Sequence, residues 1–246
     1  MLAGTASVDE FAGHAPTMAS FDSGGCNFRD VLVFQAMFEI GIDGRQASLP
    51  PGLHPTNPPT AVFQAWHCPQ SPWGPFTLAQ ARVGCRSGLR PRGMTQGCVV
   101  DNPEAAESLR SRWGLPVRLG EVRLDTSYHD VALEVAIDGR SAFAVHAVDP
   151  TPLGEDDVSY ATTVSLAHTP RGLRLVQIDT DLAARRAERV TLRRPSFDAA
   201  VFGVHHSVRL THPVAASLCR GELDLHPLRY VCLPDVLAFT GTESVD

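Results

Sequence analysis

Short runs rich in β-branched and aromatic residues recur along this chain at intervals of about 8–15 residues, each broken by Gly, Pro, Asn or Asp. The runs predict strands over Val31–Ile42, Ala61–Trp66, Phe76–Cys85, Met94–Val100, Gly120–Asp125, Val131–Ile137, Ala142–Val148, Ser159–Ala167, Leu173–Asp179 and Val214–Leu225. Asp43-Gly44, Asp138-Gly139, Asp149-Pro150 and Pro170-Arg171-Gly172 supply turns. One stretch reads as a helix with both ends marked. Asp101-Asn102 carry capping side chains, Pro103 fits the first turn, and Glu104 and Glu107 suit the positive helix start. Gly114 and Pro116 then stop the helix near Trp113 and release Val117-Arg118-Leu119 into the strand-rich half.

Between these elements, Leu49–Pro59 carries five prolines and predicts an ordered connector without regular structure. Leu182–Val190 reads as a short helix with Arg185, Arg186 and Arg189 solvated, and Gly84–Gly93 as a basic turn. Residues 1–30, rich in Gly, Ala, Ser and Thr, read as a loosely ordered arm able to pack on a neighbouring subunit; residues 31–246 read as one domain, since no internal repeat or linker divides them. Many strands with two helices at most give an α+β fold, a β-rich barrel or sandwich with helical decoration.

Composition narrows the function. A net charge of −6 argues against a general nucleic-acid binder. No run approaches the length of a membrane span and no signal peptide opens the chain, so the cytoplasm is the expected location. Six cysteines without CxxC spacing, flanked by apolar residues, predict buried free thiols. All 21 basic residues are arginine, so no side-chain amine exists for Schiff-base catalysis.

Recognisable motifs are scarce. His205-His206 is the close histidine pair, but strand neighbours point to opposite faces, so no metal is expected. Cys68 beside His67 meets the same objection. GxSxG, P-loop and GxGxxG patterns are absent, and no cofactor is expected. Arg86, Arg90 and Arg92 read as a solvated turn, and Trp66, Trp73 and Trp113 as core or pocket wall.

An ordered series does better than any single motif. Leu49-Pro50 with Leu53 and Pro55, Gly74-Pro75-Phe76, Asp101-Asn102 with Ala105-Ala106, Arg110, and Gly114-Leu115-Pro116-Val117-Arg118 together resemble the acetoacetate decarboxylase superfamily. The likeness extends from about Val31 to the C-terminus, where Arg229–Cys232 and Phe239–Glu243 also fit. It implies a barrel-like α+β fold with a central pocket, in a homo-oligomer. In the decarboxylases the first lysine of a Lys-Lys pair forms a Schiff base with a β-keto acid, while its neighbour lowers its pKa. Matched position by position, the Schiff-base residue here is Val117 and the second lysine Arg118. A family glutamate falls on Leu78, a second carboxylate near Phe63 or Gln64, and an early arginine near Gly41, with Arg45 close by.

The resemblance thus implies a retained pocket with lost chemistry. Losing the amine and carboxylates together leaves an apolar pocket for a hydrophobic, polyketide-like substrate, with Arg118 as the catalytic fixed charge able to stabilise an enolate or carboxylate. Phe63, Gln64, Phe76, Leu78, Gln80, Trp113, Val117 and Glu121 are the expected substrate-binding residues. A cyclase, isomerase or dehydratase of secondary metabolism is one reading; a non-catalytic ligand-binding or structural homologue is the other. A closed apolar cavity with an arginine at its floor favours the first, and a cavity filled by Phe63, Leu78 and Trp113 favours the second.

Overall fold

A computed structural model describes residues 2–154, 157–158 and 161–245. The longest helix forms where its signals predict. Asn102 accepts from the backbone N–H groups of Glu104 and Ala105, and Gly114 closes the other end in the left-handed conformation at φ 66°. This helix, α3 (Pro103–Trp113), buries Ala105, Ala106, Leu109 and Trp113.

The other helical elements are a single turn or little more: α1 (Val8–Ala12), α2 (Ile42–Ala47), α4 (Ala199–Phe202) and α5 (Ala238–Gly241). The expectation of two helices at most is therefore corrected, and α2 replaces the turn expected at Asp43-Gly44. Strands make up most of the chain. The N-terminal set is β1 (Cys26–Ile40), β2 (His54–Pro55), β3 (Thr60–Cys68), β4 (Phe76–Ser87) and β5 (Arg90–Val100). After α3 come β6 (Val117–Leu119), β7 (Glu121–Thr126), β8 (Asp130–Ile137), β9 (Arg140–Leu153), β10 (Thr162–Thr169) and β11 (Gly172–Ile178). The set ends with β12 (Thr180–Phe197), β13 (Leu210–Leu225), β14 (Tyr230–Cys232) and β15 (Thr242–Ser244).

All of these strands belong to one sheet, in the order β15-β14-β11-β10-β5-β4-β3-β1-β13-β12-β9-β8-β7, with β2 on β4 and β6 on β5. Pairing is antiparallel except where β5 runs parallel to β10 and to β6. β7 packs back against β4 and β5, curling the middle of the sheet into a barrel-like body. The stretch Leu182–Val190, read as a helix, is strand: it lies within β12, between β13 and β9. Its alanines and arginines suit a helix locally, but pairing with β13, joined by β9 from Ala187 onward, overrides that preference.

Alternation along the central strands builds a core on each face. Phe34, Ala36 and Phe38 of β1, Phe63 and Ala65 of β3, and Ala79, Ala81 and Val83 of β4 face the main core. Val31, Val33, Trp66, Phe76 and Leu78 point the other way, into a second core closed by α3 through Leu109 and Trp113. The main core is aromatic at its centre. Phe63 stacks on Phe143 with centroids 4.0 Å apart, and Phe38, Phe197 and Phe202 meet Phe63 edge-on.

Arg92 departs from its sequence reading. It is not a solvated turn residue but lies 2% exposed on β5, paired with Asp179 at 2.9 Å and donating to Gln177 at 2.8 Å. The N-terminal segment lies along the chain's own body, bonded through Gly4, Thr5 and Ala6 to Leu53, Gln46 and Leu49 and through Met18 to His168.

Candidate functional site

β6 leaves α3 through Gly114-Leu115-Pro116 and pairs in parallel with the end of β5, placing Val117 beside Cys98 and Arg118 beside Val99. Arg110 of α3 fixes this exit by donating from Nη2 to the Val117 carbonyl at 2.7 Å. Both Val117 and Arg118 line a cleft of ≈ 610 Å³. Its walls come from β5 (Met94 to Gly97), β6, α4 with its flanking residues, and the N-terminal segment from Glu10 to Pro16.

Two local features shape the β5 wall. The register passes from Arg82↔Thr95 to Ala81↔Gly97, leaving Gln96 as the extra residue of a β-bulge. Gln96 Nε2 donates to the Ser48 carbonyl at 2.9 Å, while its Oε1 and the Thr95 hydroxyl are buried without a hydrogen-bond partner among the described residues. Gly97 then allows α4 to approach: a Cβ here would collide with the Phe202 carbonyl. Phe202 forms the apolar floor, with Phe63 and Phe143 beneath it rather than at the cleft surface.

The polar groups are few. Arg118 is exposed and donates from Nη2 to the Val201 carbonyl at 2.7 Å, making no ion pair among the described residues. Arg110 stands at the same wall. Glu10 is the one carboxylate among the lining residues, and its Oε2 lies 3.0 Å from His205 Nε2. That hydrogen bond, followed by one from the Ser7 backbone, holds the Glu10 carboxyl below its usual titration range. His205 Nδ1 accepts from the Ser207 N–H at 3.3 Å and lies 2.6 Å from the Ser207 hydroxyl, so both ring nitrogens are engaged. Among the described residues no group of three His, Cys, Asp or Glu side chains is arranged to hold a metal.

The structure brings some expected site residues together and separates others. Val117 and Arg118 share the cleft. Gln64 and Gln80 lie on the opposite sheet face from Phe63, in a buried amide chain: Gln64 donates to Gln35 at 2.9 Å and Gln80 to Gln64 at 3.0 Å. By strand register this row continues through Cys98 to Val117. Phe76, Leu78 and Trp113 belong to the second core; Trp113 Nε1 donates to the His226 carbonyl. Glu121 is exposed and pairs with Arg123 at 3.1 Å.

Glu10, Thr95 and Gln96 are absent from the sequence reading, which weighs His205 only as half of a histidine pair. Ser7-x-x-Glu10 is a capping-box signature that marks the α1 helix start. The bulge at Gln96 has no comparable sequence mark. His205 comes into play through its distance to Glu10, which lies far away in the chain.

No protein-family model matches the sequence, and no curated protein matches it either. Solved structures match in shape. The acetoacetate decarboxylase of Legionella pneumophila subsp. pneumophila str. Philadelphia 1 superposes with a TM-score of 0.71 at 17% identity, over 87% of this chain and 88% of that one. The enduracididine biosynthesis enzyme MppR, complexed with the condensation product of pyruvate and imidazole 4-carboxaldehyde, gives 0.67 at 15% identity, over 87% and 96%. An acetoacetate decarboxylase-like enzyme from Sphingomonas wittichii RW1 gives 0.63 at 15% identity, over 84% and 92%. The chain therefore has an acetoacetate decarboxylase-like fold.

Proposed function

We propose that this protein is a small-molecule enzyme that binds a hydrophobic, polyketide-like carbonyl compound in the Val117–Arg118 cleft and transforms it without a Schiff base. Cyclisation, isomerisation and dehydration are the reaction types this cleft suits. The observation that carries the reading is an open cavity of ≈ 610 Å³ bordered by Val117 and by an arginine with no ion-pair partner among the described residues. Phe202, Met94 and Leu166 give it apolar surface, where shape orients a substrate. Arg118 supplies a fixed positive charge where an enolate or carboxylate oxygen would sit. A protein of the same fold, MppR, holds a condensation product of pyruvate, which supports a carbonyl ligand here.

A second reading, a non-catalytic ligand-binding or structural homologue, draws on the barrel interior, where Phe63 and Phe143 stack in the space beneath the cleft floor. A purely structural homologue leaves the cleft above Phe202 without a role, and the enzyme reading is preferred to a ligand-binding one because Arg118 stands where an enolate oxygen would sit.

Borohydride trapping with β-oxooctanoate tests the chemistry. The natural protein should show no adduct on a cleft side chain, because it has no lysine. Val117→Lys should yield a reduced imine at that position, since a largely desolvated amine loses its proton readily. A covalent adduct on a cleft side chain of the natural protein would sink the proposal.

A further inference from the structure

We infer that α1 and the turn after it, residues 7–15, form a lid over the Val117–Arg118 cleft, latched shut by the contact between Glu10 and His205. The inference rests on the proposed site as regards what the lid would admit, but its own evidence lies in how the segment is attached.

The N-terminal segment is tied to the body at two places by backbone hydrogen bonds. Upstream, the N–H groups of Gly4, Thr5 and Ala6 donate to Leu53, Gln46 and Leu49 at 2.9–3.0 Å. Downstream, Met18 and His168 are joined by a bond from Met18 N–H at 2.8 Å, and His168 N–H donates to Pro16 at 2.8 Å. Between these anchors the attachments are of a different kind. α1 has no fully buried residue; Val8, Phe11 and Ala15 are partly buried against the main core. His168 Nε2 lies 3.1 Å from the Ala12 carbonyl, and Glu10 meets His205 at 3.0 Å. This span nevertheless supplies Glu10, Phe11, Gly13, His14 and Ala15 to the cleft wall. A stretch pinned at both ends, shallowly packed between them and covering a cavity can open without disturbing the sheet.

Glu10 is placed to serve as the latch because it does two jobs. Its Oε1 accepts from the Ser7 N–H and completes the α1 capping box, while its Oε2 meets His205. His205 is held in turn: the Ser207 N–H donates to Nδ1, which leaves the Nε2 proton directed at Glu10. The contact also engages the one carboxylate among the residues lining the cleft.

Hydrogen exchange on the full chain, without ligand, tests the lid. Glu10→Gln keeps an oxygen for the cap and removes the charge; His205→Phe keeps a ring against Phe11 and removes Nε2. Both should raise amide exchange across residues 7–15 by roughly 2- to 5-fold, the effect of losing one exposed hydrogen bond to a carboxylate, and leave residues 4–6 and 16–18 unchanged. The double variant should exceed neither single variant by much, because both remove one contact. Both variants should also speed association and dissociation of anilinonaphthalene sulfonate. Unchanged exchange in both variants, or an equal rise at the anchors, would overturn the lid. If exchange responds as expected but dye binding ignores Arg118→Ala, the lid stands and the proposed ligand site fails.

Discussion

Val117 and Cys98 sit side by side, and neither offers a ready nucleophile. Burial pushes the Cys98 thiol well above the usual thiol range, only slightly offset by Arg82, and Cys85 is pushed up to about 12 for the same leading reason. Cys219, also desolvated, is pushed up to about 11. The sign of the pH effect follows. Folded-state values above the ordinary value mean that, as pH rises through about 9, the unfolded chain ionises while the folded chain does not. Stability should therefore fall with rising pH above that point, as denaturant melts at pH 7 and pH 10 would show. The native thiols should resist Ellman's reagent at pH 8, with all six reacting after unfolding. Rapid labelling of Cys98 in the native protein would contradict this account. At this same scale the sequence is most informative about absence: that the chain holds no lysine is legible at once. The amide chain of Gln35, Gln64 and Gln80 was not legible, because adjacent strands must be in register before those residues meet.

The elements divide by where their signals lie. α3 was readable because its determinants are local: Asn102 caps the first turn, Pro103 begins it, and Gly114 occupies a left-handed position. Asn102 also reaches back to the Trp73 and Pro75 carbonyls at 3.1 Å, joining the helix start to the turn before β4. Asn102→Ala should therefore cost about 1–2 kcal/mol, read as a lower denaturation midpoint with an unchanged denaturant slope. A change below a few tenths would show that the cap and its two long-range bonds contribute little. β12 failed as a sequence reading for the opposite reason. Its Ala- and Arg-rich middle has good helix propensity, but β13 pairs it as far as Arg189 and β9 takes it up from Ala187. The α1 lid lies between these cases: Ser7 and Glu10 mark a helix start, while the partner that gives it a position, His205, is remote in sequence.

For the whole molecule, short strands and turn signals predicted a β-rich α+β architecture, and the fold comparisons agree with it. The ordered series from Gly74 to Arg118 carried that resemblance because it follows a continuous structural path: turn, β4, β5, α3 and β6. The cleft itself was beyond the sequence, since its walls come from five separated parts of the chain. Filling beneath it by Phe63 and Phe143 leaves the usable space at the mouth, with Phe202 as floor and Arg118 at the edge. Titration calorimetry with β-oxooctanoate therefore tests the central claim most directly, comparing the natural protein with Arg118→Ala. The substitution should weaken binding by about tenfold or more, roughly 1.4 kcal/mol. Equal affinity in the two proteins would show that the ligand site is not at Arg118.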